Sequence, residues 1–133
     1  CFESVFPYYA SELTSRGAEF FAVITNDSWY GNTSGPYQHK EFSALRAIEN
    51  NRAVVRAANG GISCLITPDG KTVTSTRMFE SGALVVDVPL TSSETAFVKT
   101  SSVFPYICYG FSLFAVLLWI LGILEKKREK AKK

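Results

Sequence analysis

The chain has 133 residues, room for one domain at most, with 47% hydrophobic residues and a formal net charge of +2. That charge is uneven: residues 125–133 hold six Lys/Arg against two Glu, a local +4, so the body before them nets −2 and is not a nucleic-acid-binding surface. The three cysteines, Cys1, Cys64 and Cys108, are odd in number and far apart, which excludes a disulfide framework and a CxxC metal or redox site.

The first residue is Cys1 rather than Met, with no signal-like leader before it, so the chain is expected to be a piece of a longer protein. Residues 3–15 fit a short helix or turn-plus-helix interrupted by Pro7 and stopped by Gly17. FFAVIT (20–25) has the length and β-branching of a buried strand. NDSWYGNTSG (26–35) is dense in Asn, Asp, Ser and Gly, and is expected as a loop. Pro36 suits the first helical position. Beyond it Phe42, Leu45 and Ile48 recur at three-residue steps with Ala44 and Ala47 beside them, which predicts one apolar helix face.

AVVRAA (53–58) reads as the next strand, ended by Asn59-Gly60-Gly61. ISCLIT (62–67) and KTVTST (71–76) flank Pro68-Asp69-Gly70, a hairpin signal. GALVVDV (82–88) reads as a last strand closed by Pro89, and LTSSETAFVKTSS as a polar connector. One helix among several short strands points to a layered α/β domain whose first strands are missing.

From Val103 to Leu124 come twenty-two residues without a charge. At about 1.5 Å per residue such a helix crosses a hydrocarbon core of roughly 30 Å. Pro105 lies near its start, where a missing N–H costs little, and Tyr106, Tyr109 and Trp119 lie toward its ends as an interfacial belt requires. The Lys/Arg-rich stretch directly after it marks the side that is not translocated, so the C-terminus is expected in the cytoplasm and residues 1–100 on the outer face.

A thiol attacks well only as its thiolate, which needs a cation, a base or a helix N-terminus to lower its ordinary pKa of about 8.5. Cys64 lies in an apolar run and Cys108 in the membrane segment, where unreactive packing is the better reading. Cys1 precedes a predicted helix, whose dipole favours negative charge at its sulfur, and Glu3 is near enough to share its pocket. By themselves these two residues carry little, because a cysteine before a helix is common and a first-turn Glu usually just stabilises the helix.

The spacing of later motifs adds to this. Cys1-Phe2-Glu3 is followed by Thr25-Asn26-Asp27-Ser28-Trp29-Tyr30-Gly31 and then Gly35-Pro36-Tyr37-Gln38-His39. Further on stand Leu45-Arg46-Ala47-Ile48-Glu49, Arg52, Arg56-Ala57, Asn59-Gly60-Gly61-Ile62-Ser63 and Pro68-Asp69-Gly70. This series, over residues 1–88, resembles the carbon–nitrogen hydrolase (nitrilase) superfamily, and within it the branch that N-acylates bacterial apolipoproteins.

The resemblance implies an α/β fold: part of a nitrilase-like α-β-β-α sandwich with its nucleophile on a strand-to-helix elbow, followed by one C-terminal transmembrane helix. Residues 1–90 would be the C-terminal half of the hydrolase domain, 91–102 a linker, 103–124 the membrane helix and 125–133 a basic cytoplasmic tail. It also implies a Glu-Lys-Cys triad, of which Cys1 alone is present; the family's base and oxyanion lysine precede the nucleophile. The fragment alone is therefore expected to be inactive.

Glu3 matches a second acidic residue that follows the cysteine in the acyltransferases. Phe2 stands where tyrosine is frequent, which puts a hydroxyl role there in doubt. Phe2, Trp29 and Tyr30 are candidate substrate-binding residues. For Trp29 the residues leave open whether it lines an acyl or peptide entrance or simply packs in its loop. His39, the only histidine, is expected in a hydrogen-bonding structural role, since the family's base is Glu. Arg46, Glu49, Arg52 and Arg56 are expected in helix-face ion pairs and strand-edge contacts, and Asn59 with its glycines in a tight turn.

The implied partners are a phospholipid acyl donor, the apolipoprotein N-terminus and the lipid bilayer; no cofactor, metal or nucleic acid is implied. The implied location is the bacterial inner membrane, multi-pass in the full-length protein, with the catalytic domain extracytoplasmic. Two alternatives remain open from sequence: a membrane-tethered amidase or nitrilase with water as acceptor, and a single-span protein whose outer domain only binds lipid or partners.

Overall fold

The computed structural model describes residues 1–131. They divide into two units, Cys1–Ser101 and a second unit that begins at Ser102. In the first, a single 3-10 turn at Phe2–Val5 leads into helix α1, Pro7–Ser15. Pro7 does not interrupt this helix but opens it, because the first turn needs no N–H from it. Gly17, at φ +94°, closes it in the left-handed region, and the amides of Gly17 and Ala18 return to Thr14 and Leu13 carbonyls at 2.9 and 3.0 Å.

Strand β1 is Phe20–Asn26, helix α2 Gly35–Asn50, and strands β2, β3 and β4 are Ala53–Asn59, Cys64–Ile66 and Thr72–Ser75. The sheet order is β1-β2-β3-β4. β1 and β2 are parallel, joined by a crossover that contains α2, and the rest is antiparallel. The Pro68-Asp69-Gly70 turn makes the predicted hairpin, with Thr67 accepting from Gly70 N at 2.8 Å. Phe21, Val54, Cys64 and Ile66 form the sheet side of the core, packed under Ala10 of α1 and Ala44 and Ala47 of α2.

Three further expectations are corrected. Only part of the predicted apolar face of α2 meets the core: Ala44 and Ala47 are buried there beside the polar His39, Ser43, Arg46 and Asn50, while Phe42, Leu45 and Ile48 are exposed. These buried polar side chains are held by hydrogen bonds, although Arg46 Nε meets no partner among the described residues. Asn50 accepts from Thr14 Oγ1 at 3.1 Å and donates to Arg46 O at 2.9 Å, and Arg46 donates to Val5 O at 2.8 Å. A hydropathy pattern assigns such residues to solvent, yet a polar group is buried without loss once it is hydrogen-bonded.

The predicted strand 82–88 joins no ladder, and Val85 is fully exposed. An apolar, β-branched run makes a segment competent for a sheet, but a strand also needs an edge to pair with in register. Phe79, at φ +58°, turns the chain away after β4. The polar connector, in turn, contains a helix, α3, Ala96–Thr100, capped by Thr95 Oγ1 accepting from Val98 N at 3.2 Å. Arg52, 1% exposed, pins the residues before it by donating to Ser93 O at 2.7 Å.

The second unit holds one helix, α4, Phe104–Ala131. Within it Phe104–Leu124 is long and apolar enough to cross a membrane, with a mean hydropathy of 2.4. Pro105 is its second residue, where no intrahelical N–H bond is lost. The backbone helix continues beyond Leu124 into the basic stretch; of the predicted tail, residues 132 and 133 lie outside the described residues.

Candidate active site

The register Thr25↔Ala58 and Asn26↔Asn59 brings the carboxyl ends of β1 and β2 side by side, the end of a parallel pair where ligands are generally bound. The chain leaves β1 through Asn26, whose Oδ1 accepts from Ser28 N, Ser28 Oγ and Asn59 Nδ2 at 3.2, 2.7 and 3.1 Å. Asp27 N donates to Asn59 O at 2.9 Å. The 26–30 loop is thus fastened to the turn after β2. The fit needs glycine: a Cβ on Gly61 would lie 2.4 Å from Asp27 Oδ2, and one on Gly60 2.9 Å from Ser28 Cα.

Asp27 is completely buried at the centre of a polar cluster. Arg56 Nη2 donates to its Oδ2 at 2.5 Å, and His39 Nδ1 and Thr25 Oγ1 meet its Oδ1 at 2.8 and 3.1 Å. Burial alone would raise this carboxyl, but the hydrogen bond from His39 and the charge of Arg56 outweigh it and hold the group below the ordinary carboxylate range. An ionised carboxylate only accepts, so His39 carries its proton on Nδ1. His39 is 4% exposed, between the rings of Phe2 and Tyr30 at 6.1 and 6.4 Å, with Ser4 Oγ 3.4 Å from Nε2.

The sulfur of Cys1 lies 2.8 Å from Thr25 Oγ1. Cys1 is exposed, whereas Cys64 is buried and its thiol is pushed up by that burial. The helix expected directly after Cys1 begins only at Pro7; a four-residue turn intervenes, too short for a helix dipole to bear on the sulfur.

Cys1 and Glu3 border a cavity of about 240 Å³, whose apolar wall includes Tyr9, Leu13, Phe20 and Val23. Phe2, Trp29 and Tyr30 do not line it. Trp29 is 83% exposed, so it does not pack within its loop. His39 has the hydrogen-bonding structural role expected of it, and Arg46 pairs with Glu49 at 2.9 Å along α2. Arg56 belongs to the site and not to a strand edge. Thr25 and Asp27 stood inside the motif that signalled the family, but nothing in their spacing disclosed that they meet Cys1 and His39.

A family model described as carbon-nitrogen hydrolase matches residues 1–96. The chain is similar to three proteins named apolipoprotein N-acyltransferase. It is 38% identical to that of Chlorobaculum tepidum over 84% of this chain and 21% of the relative. To that of Rickettsia typhi it is 38% identical over 93% of this chain and 23% of the relative. To apolipoprotein N-acyltransferase 1 of Treponema pallidum it is 44% identical over 68% of this chain and 16% of the relative. The chain therefore spans about a fifth of the length of the curated relatives it matches. With the family model covering the α/β unit that carries Cys1, Thr25, Asp27 and His39, this chain belongs to the carbon–nitrogen hydrolase family.

Proposed function

We propose that this chain carries the nucleophile-bearing part of an apolipoprotein N-acyltransferase, with Cys1 as the residue that is acylated. The observation that carries the reading is the position of the Cys1 sulfur at the carboxyl end of a parallel strand pair, against a buried polar cluster, in a chain whose relatives bear that name. Cys1 attacks the ester carbonyl of a phospholipid; the acyl–oxygen bond breaks, the lysophospholipid leaves, and a thioester remains on sulfur. The amine of a diacylglyceryl-cysteine at the apolipoprotein N-terminus then takes the acyl group as an amide and returns the thiol.

The proton leaving sulfur passes to a general base, and the tetrahedral oxygen needs donors; the family's Glu and Lys fill those roles from upstream of the nucleophile. Glu3, at the cavity rim, acts beside the sulfur. Phe2 and Tyr30 flank His39, and Trp29, outside the cavity lining, is exposed and so accessible to substrate. No cofactor or metal takes part. The sheet face opposite the helices leaves Phe20 and Ile24 exposed, which supports the α-β-β-α sandwich, where a second sheet covers that face. Phe104–Leu124 anchors the enzyme in the inner membrane, with the basic end cytoplasmic and the catalytic unit outside, where its lipid substrates are at hand.

In the full-length protein, Cys1→Ala and Cys1→Ser are expected to abolish lipoprotein N-acylation, measured by the mass of the lipoprotein N-terminal peptide. Retained acylation rejects Cys1 as nucleophile. Phospholipid supplied without an acceptor amine is expected to leave an acyl thioester on Cys1. Rapid release of free fatty acid instead would assign water as the acceptor and make the protein a hydrolase.

A further inference from the structure

We propose that Thr25 is a positioning residue for the Cys1 sulfur, accepting from it as a thiol and donating to it as a thiolate. The inference rests on the reading of Cys1 as nucleophile and extends it to a residue outside the triad. It starts from proton counting. Thr25 is 6% exposed, and its Oγ1 meets two groups, Cys1 Sγ at 2.8 Å and Asp27 Oδ1 at 3.1 Å. A hydroxyl has one proton and two lone pairs. Asp27 is ionised and only accepts, so in the resting arrangement the Thr25 proton points to Asp27 and the sulfur donates its own proton to Thr25.

When the sulfur loses that proton to a base, two lone-pair-bearing atoms would face each other across the same contact. The arrangement is relieved by a rotation of the Thr25 hydroxyl that turns its proton onto the thiolate. Asp27 can release it, because His39 Nδ1 remains on Oδ1 and Arg56 Nη2 on Oδ2, so neither oxygen is left without a donor. The backbone gives the hydroxyl no freedom to drift away. Thr25 is paired to Ala58, the last pair but one of the parallel ladder, and Asp27 is held by Asn59 and pressed by Gly61. The rotation is therefore a change of one torsion within a rigid frame, and it gives the thiolate a hydrogen bond that a helix dipole does not supply here.

The test is the pH dependence of iodoacetamide alkylation of Cys1 in the full-length protein, read by mass spectrometry of the Cys1 peptide. Thr25→Val keeps the shape but removes the hydroxyl. Its alkylation midpoint is expected to rise by about one pH unit, roughly a tenfold loss of thiolate at fixed pH. Thr25→Ser is expected to keep the wild-type midpoint. A folded Thr25→Val protein with an unshifted midpoint overturns the proposal. Should the valine variant fail to fold, Thr25→Ala takes its place, and serine and alanine midpoints that coincide overturn it equally. Failure of the underlying reading would look different: Cys1→Ala would then keep its acylation activity, whatever the alkylation profile of the Thr25 variants.

Discussion

Asp27 gathers three side chains from three separate stretches, Thr25, His39 and Arg56, around one buried carboxylate. Buried ion pairs add little net stability over apolar packing, but breaking one leaves an uncompensated charge. Asp27→Asn in the full-length protein is therefore expected to cost about 3–5 kcal/mol at neutral pH, read by denaturant unfolding. The pH dependence has a definite sign. The folded-state carboxyl is held below its unfolded value of about 3.9, so the native state binds fewer protons between the two. The stability conferred by Asp27 is complete above about pH 4 and is lost as pH falls through the lowered folded value. Asp27→Asn is expected to lack this acid-side loss. A variant curve that falls in parallel with the wild type below that pH would show that Asp27 is not the group responsible.

Helix α2 shows how an element can be recognised while its orientation is only partly read. Its start beside Pro36 and its helical period were legible, because each is a local property. Its buried side was legible only in part. Ala44 and Ala47 let the helix approach the sheet closely, and the polar residues beside them enter the network around Asp27 and Asn50. Ala47, with no exposed surface, has no room for a larger side chain. Ala47→Leu is expected to destabilise the full-length protein by roughly 1–3 kcal/mol through overpacking, measured as a lowered unfolding midpoint. An unchanged midpoint would mean that the helix does not lie against the sheet in this way. Segment 82–88 carries the same lesson for strands: its apolar, β-branched run suits a strand, but pairing is decided by what lies next to it.

At the scale of the whole molecule, the α/β unit and the apolar helix answer to different solvents. The first buries a core under α1 and α2; the second exposes large apolar side chains such as Leu117, Leu118 and Trp119 along its length. Exposure of that kind is costly in water and favourable in hydrocarbon. Leu117→Arg, near the middle of Phe104–Leu124, is expected to raise the cost of membrane insertion by about 3–4 kcal/mol, measured by the inserted fraction in a translocon assay. Equal insertion of the variant and the wild type would argue against α4 as a spanning helix.

Local chemistry is written along the chain and can be read from it: a helix start beside Pro36, the hairpin at Pro68-Asp69-Gly70, a long run without charge, and a motif series specific enough to indicate the family. Each depends on residues within a few positions of one another, or on spacing preserved along one chain. Which residues touch the sulfur is a different matter. Thr25 reaches Cys1 across twenty-four positions, and Arg56 reaches Asp27 across twenty-nine. Those meetings follow from the parallel register of β1 on β2 and from the burial of polar side chains beneath α2. Both were settled by packing and hydrogen bonding between distant segments, to which no local pattern responds.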